Sequence, residues 1–94
     1  MTKVFLDGHI DVPEDRLAAV EAALPIHIAL TRAEPGCLSF NVEACPTISG
    51  RFLVSEVFVD QASFDAHQQR TKTSNWFTVT QGIARDYTVR SSET

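Results

Sequence analysis

Hydrophobic and polar positions alternate from residue 3 to 12. Val4, Leu6, Gly8, Ile10 and Val12 fall on one side, and Phe5, Asp7, His9 and Asp11 on the other. A period of two predicts a strand with one buried face. Gly8 within it predicts a bulge or a segment lying close against the backbone. Phe5 and His9 predict that the second face is covered too, by another subunit. From Pro13 the spacing becomes helical. Leu17, Val20, Leu24, Ile28 and Thr31 trace one stripe, and the predicted helix runs to about Ala33. Pro13 suits a first helical position, and Glu14 and Asp15 suit the positive end of the helix dipole. Pro25 lacks an N–H and predicts a kink or a split. Glu34-Pro35-Gly36 predicts the helix end, with Gly36 free to take a positive φ.

Alternation returns over Cys37–Ala44, with Leu38, Phe40 and Val42 on one face and Ser39, Asn41 and Glu43 on the other. Cys45 to Gly50 reads as a hairpin loop, and Arg51 to Val59 as a third strand, antiparallel to the second. Glu56 shares a face of that strand with Val54 and Phe58. Asp60 can cap a second long helix, predicted from Ala62 to about Arg70. Phe64 and His67 sit three apart on it, facing one way. The strand and the helix therefore send an acid and an imidazole toward the same apolar layer. Ser74 can cap a short helix over Asn75–Gln81, stopped by Gly82. Ile83 to Arg90 alternates again as a fourth strand, and residues 91–94 read as a frayed polar tail. The order strand–helix–strand–strand–helix–strand predicts an α+β, ferredoxin-like fold: a four-stranded antiparallel sheet with helices on one face. The other face is left bare, and a homodimer packed through it is the simplest remedy.

Ninety-four residues predict a single domain, small enough to gain from oligomerisation. Net charge is −4 with Lys and Arg scattered, so no basic stripe points to nucleic acid. No apolar run approaches the ~20 residues of a membrane span. The opening MTKVFLDGHI, with one Lys and a broken apolar run, makes a poor signal peptide, and the expected location is the cytoplasm. Cys37 and Cys45 would lie roughly 26 Å apart on one continuous strand, too far for a disulfide. Three dispersed histidines with no cysteine cluster predict no metal, and no glycine-rich loop cradles a phosphate or dinucleotide. No serine or cysteine stands in a nucleophile motif. An enzyme of this composition is expected to use no bound cofactor and to act on a small apolar or aromatic molecule.

His67 is the first candidate, because an imidazole can take or deliver a proton near neutral pH. The alternative is a core-edge histidine bonded to a backbone carbonyl. Glu56, mid-strand and buried, is the second. Its alternative is a structural ion pair with Arg51 or Arg85. Phe40, Phe58, Trp76 and Phe77 are the aromatic candidates for holding a ring, against plain core packing for Phe64 and Phe40. Trp76, beside Ser74 and Asn75, suits the mouth or lid of a pocket. His9 and His27 have no convergent partner and default to surface or interface roles. Asp7 and Asp11 read as solvated or interface charges.

TRAEPGCLSFNV at 31–42, RFLVSEVFVDQASFDAHQQR at 51–70 and NWFTVTQGIARDYTV at 75–89 resemble the antibiotic biosynthesis monooxygenase (ABM) family. The specific parts are the Glu-Pro-Gly-Cys turn, the Glu-x-Phe of the third strand and the Ala-His of the second long helix. The resemblance implies a dimeric α+β barrel with a pocket in each protomer between sheet and helices. It implies oxidation of a phenol or quinol by O₂ without metal or flavin. His67 would then accept or anchor the phenolic proton, and Glu56 would set the polarity beside it. Phe40, Phe58, Trp76 and Phe77 would hold the ring. A related haem-degrading branch holds iron with a histidine where this chain has Phe77 to Gln81, none of them His, so haem degradation is disfavoured. The alternative within the family is a non-catalytic small-molecule-binding or regulatory dimer.

Overall fold

The computed structural model describes residues 2–93. Strand β1 (Thr2–Asp11) leads through a 3-10 turn (Glu14–Arg16) into helix α1 (Leu17–Arg32). Strands β2 (Cys37–Ala44) and β3 (Arg51–Phe58) form the hairpin. Helices α2 (Gln61–Lys72) and α3 (Asn75–Val79) precede strand β4 (Ala84–Glu93). The sheet is antiparallel throughout, in the order β2-β3-β1-β4. This is the ferredoxin-like arrangement expected from the pattern. No helix among the described residues is long and apolar enough to cross a membrane.

Local chemistry fixes the elements. The Asp60 carboxylate accepts from the Ser63 N–H at 2.8 Å and starts α2. Ser74 caps α3 by accepting from the Phe77 N–H. Arg16 donates to the carbonyls of Val79 and Gln81, placing a cation where the last carbonyls of α3 lack partners. Pro25 neither splits nor ends α1. It lies on the exposed side of the helix, and the carbonyl deprived of its N–H is that of exposed Glu21, where water can replace the lost donor. The first predicted turn of α1 winds as 3-10 instead, closed by Arg16 N–H to Pro13 C=O at 2.9 Å.

Gly36 has no positive φ; that conformation belongs to Gly50 and Gly82. Its value is space, since a Cβ there would stand 2.0 Å from the Ser63 hydroxyl oxygen, where α2 meets the turn. The stretch Ser91–Glu93, expected to fray, belongs to β4 and pairs with β1 through Val4↔Ser91, Lys3↔Ser92 and Thr2↔Glu93; Thr94 lies outside the described residues. A register shift between Cys37 and Ser39 turns Leu38 out to 53% exposure, off the face it was expected to share with Phe40 and Val42.

The core lies between the sheet and the helices. Val4, Leu6 and Ile10 of β1 meet Phe52, Val54 and Phe58 of β3, with Val20 and Phe64 closing from the helices. Burying a side chain such as Phe58, fully enclosed, is worth roughly 1.5–3 kcal/mol in apolar transfer. Across the sheet one row reads Phe40, Glu56, Leu6, Val89, so a carboxyl group stands between two core side chains. On the opposite face Arg51 grips Asp11 with two bonds, at 2.7 and 3.1 Å. There the Arg90 guanidinium lies 4.3 Å from the Phe5 ring centre.

Strand β4 passes close over Gly8 without a bulge. A Cβ at Gly8 would fall 2.0 Å from the Asp86 carbonyl oxygen and 2.9 Å from the Tyr87 Cα, both backbone atoms. Gly8→Ala is therefore expected to destabilise the protein by about 1–3 kcal/mol, as overpacking does. Urea unfolding, with amide exchange along β4, checks this; an unchanged midpoint with unchanged exchange would contradict the close approach.

Candidate active site

Three segments converge on the layer above β3. Helix α1 buries His27 and Thr31, one turn apart. The turn that follows carries Glu34, whose N–H bonds the Thr31 carbonyl at 3.0 Å, tying it to the helix end. Helix α2 buries Phe64 and His67 on one face, and β3 presents Glu56 from below.

His67 is the hub. Its Nδ1 lies 2.8 Å from Glu34 Oε1 and its Nε2 lies 3.9 Å from Glu56 Oε1. A carboxylate oxygen accepts, so Nδ1 carries the proton and Nε2 keeps its lone pair. Arg70 Nε donates to Glu34 Oε2 at 2.8 Å, and Arg70 Nη2 donates to Thr31 Oγ1 at 2.9 Å. That hydroxyl in turn donates to the His27 carbonyl at 2.8 Å. The His67 ring sits against Phe58 (centroids 5.0 Å apart) and Phe40 (5.7 Å).

Burial sets the charges. It pushes the His67 pKa down, against the stabilising pull of Glu34, so the ring is neutral at pH 7. It pushes Glu56 up to about 7, with the Glu34 charge adding to the effect. His27 falls to about 3 through burial, then through the nearby His67 and Arg70. The Tyr87 hydroxyl is also raised, chiefly by burial, and Glu56 is close enough to contribute. Four buried polar atoms lack a partner among the described residues: His27 Nδ1, Glu56 Oε1, Arg70 Nη1 and Thr71 Oγ1. All four side chains belong to α1, α2 or β3. Among the described residues no group of three His, Cys, Asp or Glu side chains could hold a metal ion.

The structure thus brings His67, Glu56, Phe40 and Phe58 together. Trp76 and Phe77 stand apart from the His67 ring. Trp76 stacks on His27, with centroids 4.7 Å apart and planes within 6°. Both line a chamber of about 30 Å³ under α3, with Thr71 and Tyr87 also in its wall. A larger cavity of about 350 Å³ opens on the outer side of His67, walled by Glu34, Gly36, Ser63 and Arg70. Phe40 and Phe58, 2% and 0% exposed, pack as core against the ring.

Two expectations are corrected. Glu56 pairs with neither Arg51 nor Arg85: Arg51 is taken by Asp11 on the opposite sheet face, so Asp11 is not a free charge either. His27 is not a surface histidine. It is buried at 5% exposure, because the stripe of α1 that meets the sheet runs Val20, Ala23, His27, Thr31 and leaves Leu24 and Ile28 at its edge. In the sequence Glu34 stands only as part of the Glu34-Pro35-Gly36 helix end. The signal in the sequence is its place one turn beyond Thr31; its contact with the helix that carries His67 and Arg70 comes from the fold. The two cysteines are free, as their spacing implied.

A family model described as antibiotic biosynthesis monooxygenase matches residues 4–78. Among curated proteins, none matches the chain in sequence. Among solved structures, a Pseudomonas aeruginosa protein is 23% identical with a TM-score of 0.75, covering 100% of this chain and 95% of that one. A structure described as an antibiotic biosynthesis monooxygenase is 22% identical with a TM-score of 0.71, covering 100% and 98%. MupZ from Pseudomonas fluorescens is 22% identical with a TM-score of 0.77, covering 93% of this chain and 69% of that one. These likenesses show a shared fold, and the family match spans the turn, the third strand and the helix that build the His67 cluster: the chain belongs to the antibiotic biosynthesis monooxygenase family.

Proposed function

We propose that this protein is a cofactor-independent monooxygenase that oxidises a small phenol or quinol with O₂. The observation that carries the reading is the buried, neutral His67, its Nδ1 on Glu34 and its bare Nε2 turned inward beside Glu56. A phenolic O–H presented to Nε2 gives up its proton, and the resulting anion is rich enough in electrons to reduce O₂. One oxygen atom then enters the ring and the other leaves as water. For a quinol going to a hydroxyquinone, the substrate supplies all four electrons. Glu56, when it holds its proton, can donate to the oxygen that becomes negative. Trp76 and Phe77, half-buried on a five-residue helix, wall a chamber of about 30 Å³ that neither His67 nor Glu56 lines, so a ring reaches Nε2 from there only when these side chains and the chamber's inner wall move.

That small chamber also favours a second reading, a non-catalytic binding module of the same fold. Oxygen uptake with hydroquinones, on metal-free protein, separates the two. The first reading expects uptake above the buffer rate and a loss of about 100-fold or more in His67→Ala. Uptake equal to buffer, unmoved by that substitution, sinks it for those substrates.

We place the protein at work as a homodimer joined through the bare sheet face, where Leu53 is 45% exposed and Phe5 and Val57 are half-buried. Sedimentation equilibrium should give twice the chain mass, and Leu53→Lys should shift it to the monomer. A monomer at all accessible concentrations removes this part of the proposal.

The proton on Glu56 can be measured without substrate. Its pKa is about 7 folded and near 4.5 unfolded. Between those values the folded state holds one proton more than the unfolded state, so Glu56 lowers stability as pH rises from 4.5 to 7, by about 3 kcal/mol in all. His27 acts oppositely: folded at about 3 against 6.5 unfolded, it raises stability as pH climbs through that window. The wild-type profile is therefore flattened between pH 4.5 and 6.5, and the difference is the clean readout. Glu56→Gln should gain on wild type by about 3 kcal/mol between pH 4.5 and 7.5 in urea unfolding. A pH-independent difference would show that Glu56 titrates in the folded protein as it does in the unfolded chain.

A further inference from the structure

We propose that Glu34, held by Arg70, is the positioning residue of His67 and the outlet for its proton. It fixes the ring in the tautomer that leaves Nε2 bare. It then takes the Nδ1 proton each time Nε2 gains one. The outlet half rests on reading His67 as the base; the positioning half does not.

The positioning follows from what each partner can donate. Arg70 is anchored at Nη2 by Thr31 Oγ1, 2.9 Å away, so its Nε is fixed in place, 2.8 Å from Glu34 Oε2. A guanidinium only donates, so Oε2 must accept. Oε1 is left to face His67 Nδ1 at 2.8 Å, and it too accepts. The proton of the neutral ring is thereby assigned to Nδ1 from two residues away. The chain of bonds runs from the His27 carbonyl through Thr31 and Arg70 to Glu34 and His67, so the tautomer is set by the bonds that tie the end of α1 to the last turn of α2.

The outlet follows from where Glu34 stands. The 350 Å³ cavity on the outer side of His67 is walled by Glu34, Arg70 and His67 itself, on the side of the ring away from Glu56. When Nε2 takes a substrate proton, an N–H bond forms there. The Nδ1–H bond breaks and its proton moves to Glu34 Oε1, then to solvent in the cavity. The ring ends neutral with its proton on Nε2; as Nε2 gives that proton to the oxygen that leaves as water, a proton returns from solvent through Glu34 Oε1 to Nδ1, which resets the ring.

Glu34→Gln inverts the arrangement by the same logic. An amide has one accepting oxygen, and the fixed Arg70 Nε claims it. The NH₂ group is then turned toward His67 Nδ1, which must accept, and the proton moves to Nε2. Proton-coupled ¹⁵N spectra of the histidine rings read this directly on the substrate-free protein, with His67→Asn identifying the signal. Wild type should be protonated at Nδ1 and Glu34→Gln at Nε2. Adding Arg70→Met to Glu34→Gln frees the amide to turn its oxygen back, and the Nδ1 tautomer should return. A wild-type ring protonated at Nε2, or a ring in Glu34→Gln that keeps Nδ1–H, overturns the positioning role.

Hydroquinone turnover then tests the outlet. Glu34→Gln should lower kcat by roughly 10²–10⁴-fold, as a wrong tautomer does, with KM little changed. The double variant has the right tautomer but no ionisable outlet, so its kcat should stay low. Recovery of its kcat would reduce Glu34 to positioning alone. If wild type shows no turnover, the monooxygenase reading and the outlet fall together, while the spectra still decide the positioning.

Discussion

Polar groups buried in an apolar layer must find partners or give up their charge, and this constraint shapes the space between the sheet and the helices. A carboxyl and two imidazoles lie among Phe40, Phe58 and Phe64 in a chain too short to spare core volume. Each is accommodated by a different physical means. His67 is bonded at one nitrogen and neutral. His27 gives up its charge and stacks on an indole. Glu56 stays within the row of core side chains by holding its proton near neutral pH. A core made only of hydrocarbon would pack better, so these groups are retained at a cost to stability.

The bond between Glu34 and Arg70 carries mechanical weight besides its electrical role. The turn after α1 and the last turn of α2 are joined there, and at the other end of α2 Gly36 leaves room for Ser63 against the same turn. The two helices otherwise meet the sheet more than each other. Disturbing this carboxylate would therefore move the hinge between the helices as well as the imidazole it holds.

Much of this was legible in the sequence, for identifiable reasons. Period-two stretches placed the strands, and β2 appeared with its bounds intact because Gly36 and Pro46 bracket it. Asp60 and Ser74 marked their helices because capping is a local interaction. His67 and Glu56 emerged as a pair because strand and helix periodicities each fix a direction. What was lost depends on contacts between distant segments. Leu38 left the core through a register shift that no residue announces. His27 looked like an outlier on its helix because the buried stripe is set by how α1 tilts on the sheet. Residues 91–93 read as a tail because polar side chains on an edge strand resemble a loop, yet backbone pairing to β1 needs no apolar side chain. Glu34 was hidden by the louder signal of the proline and glycine beside it.

Helix α3 is pinned at both ends, by the Ser74 hydroxyl at its start and by Arg16 on the carbonyls beyond Thr78. Its backbone is thus a rigid sill, and whatever opens above the chamber must open by rotating side chains about χ1 and χ2 of Trp76 and Phe77. Two ring rotations create a slot rather than a hole. A slot discriminates by thickness: planar molecules pass edge-on, while a puckered or branched molecule of equal volume is stopped. The flatness of an aromatic ring would then be selected before any chemical group of the molecule is touched.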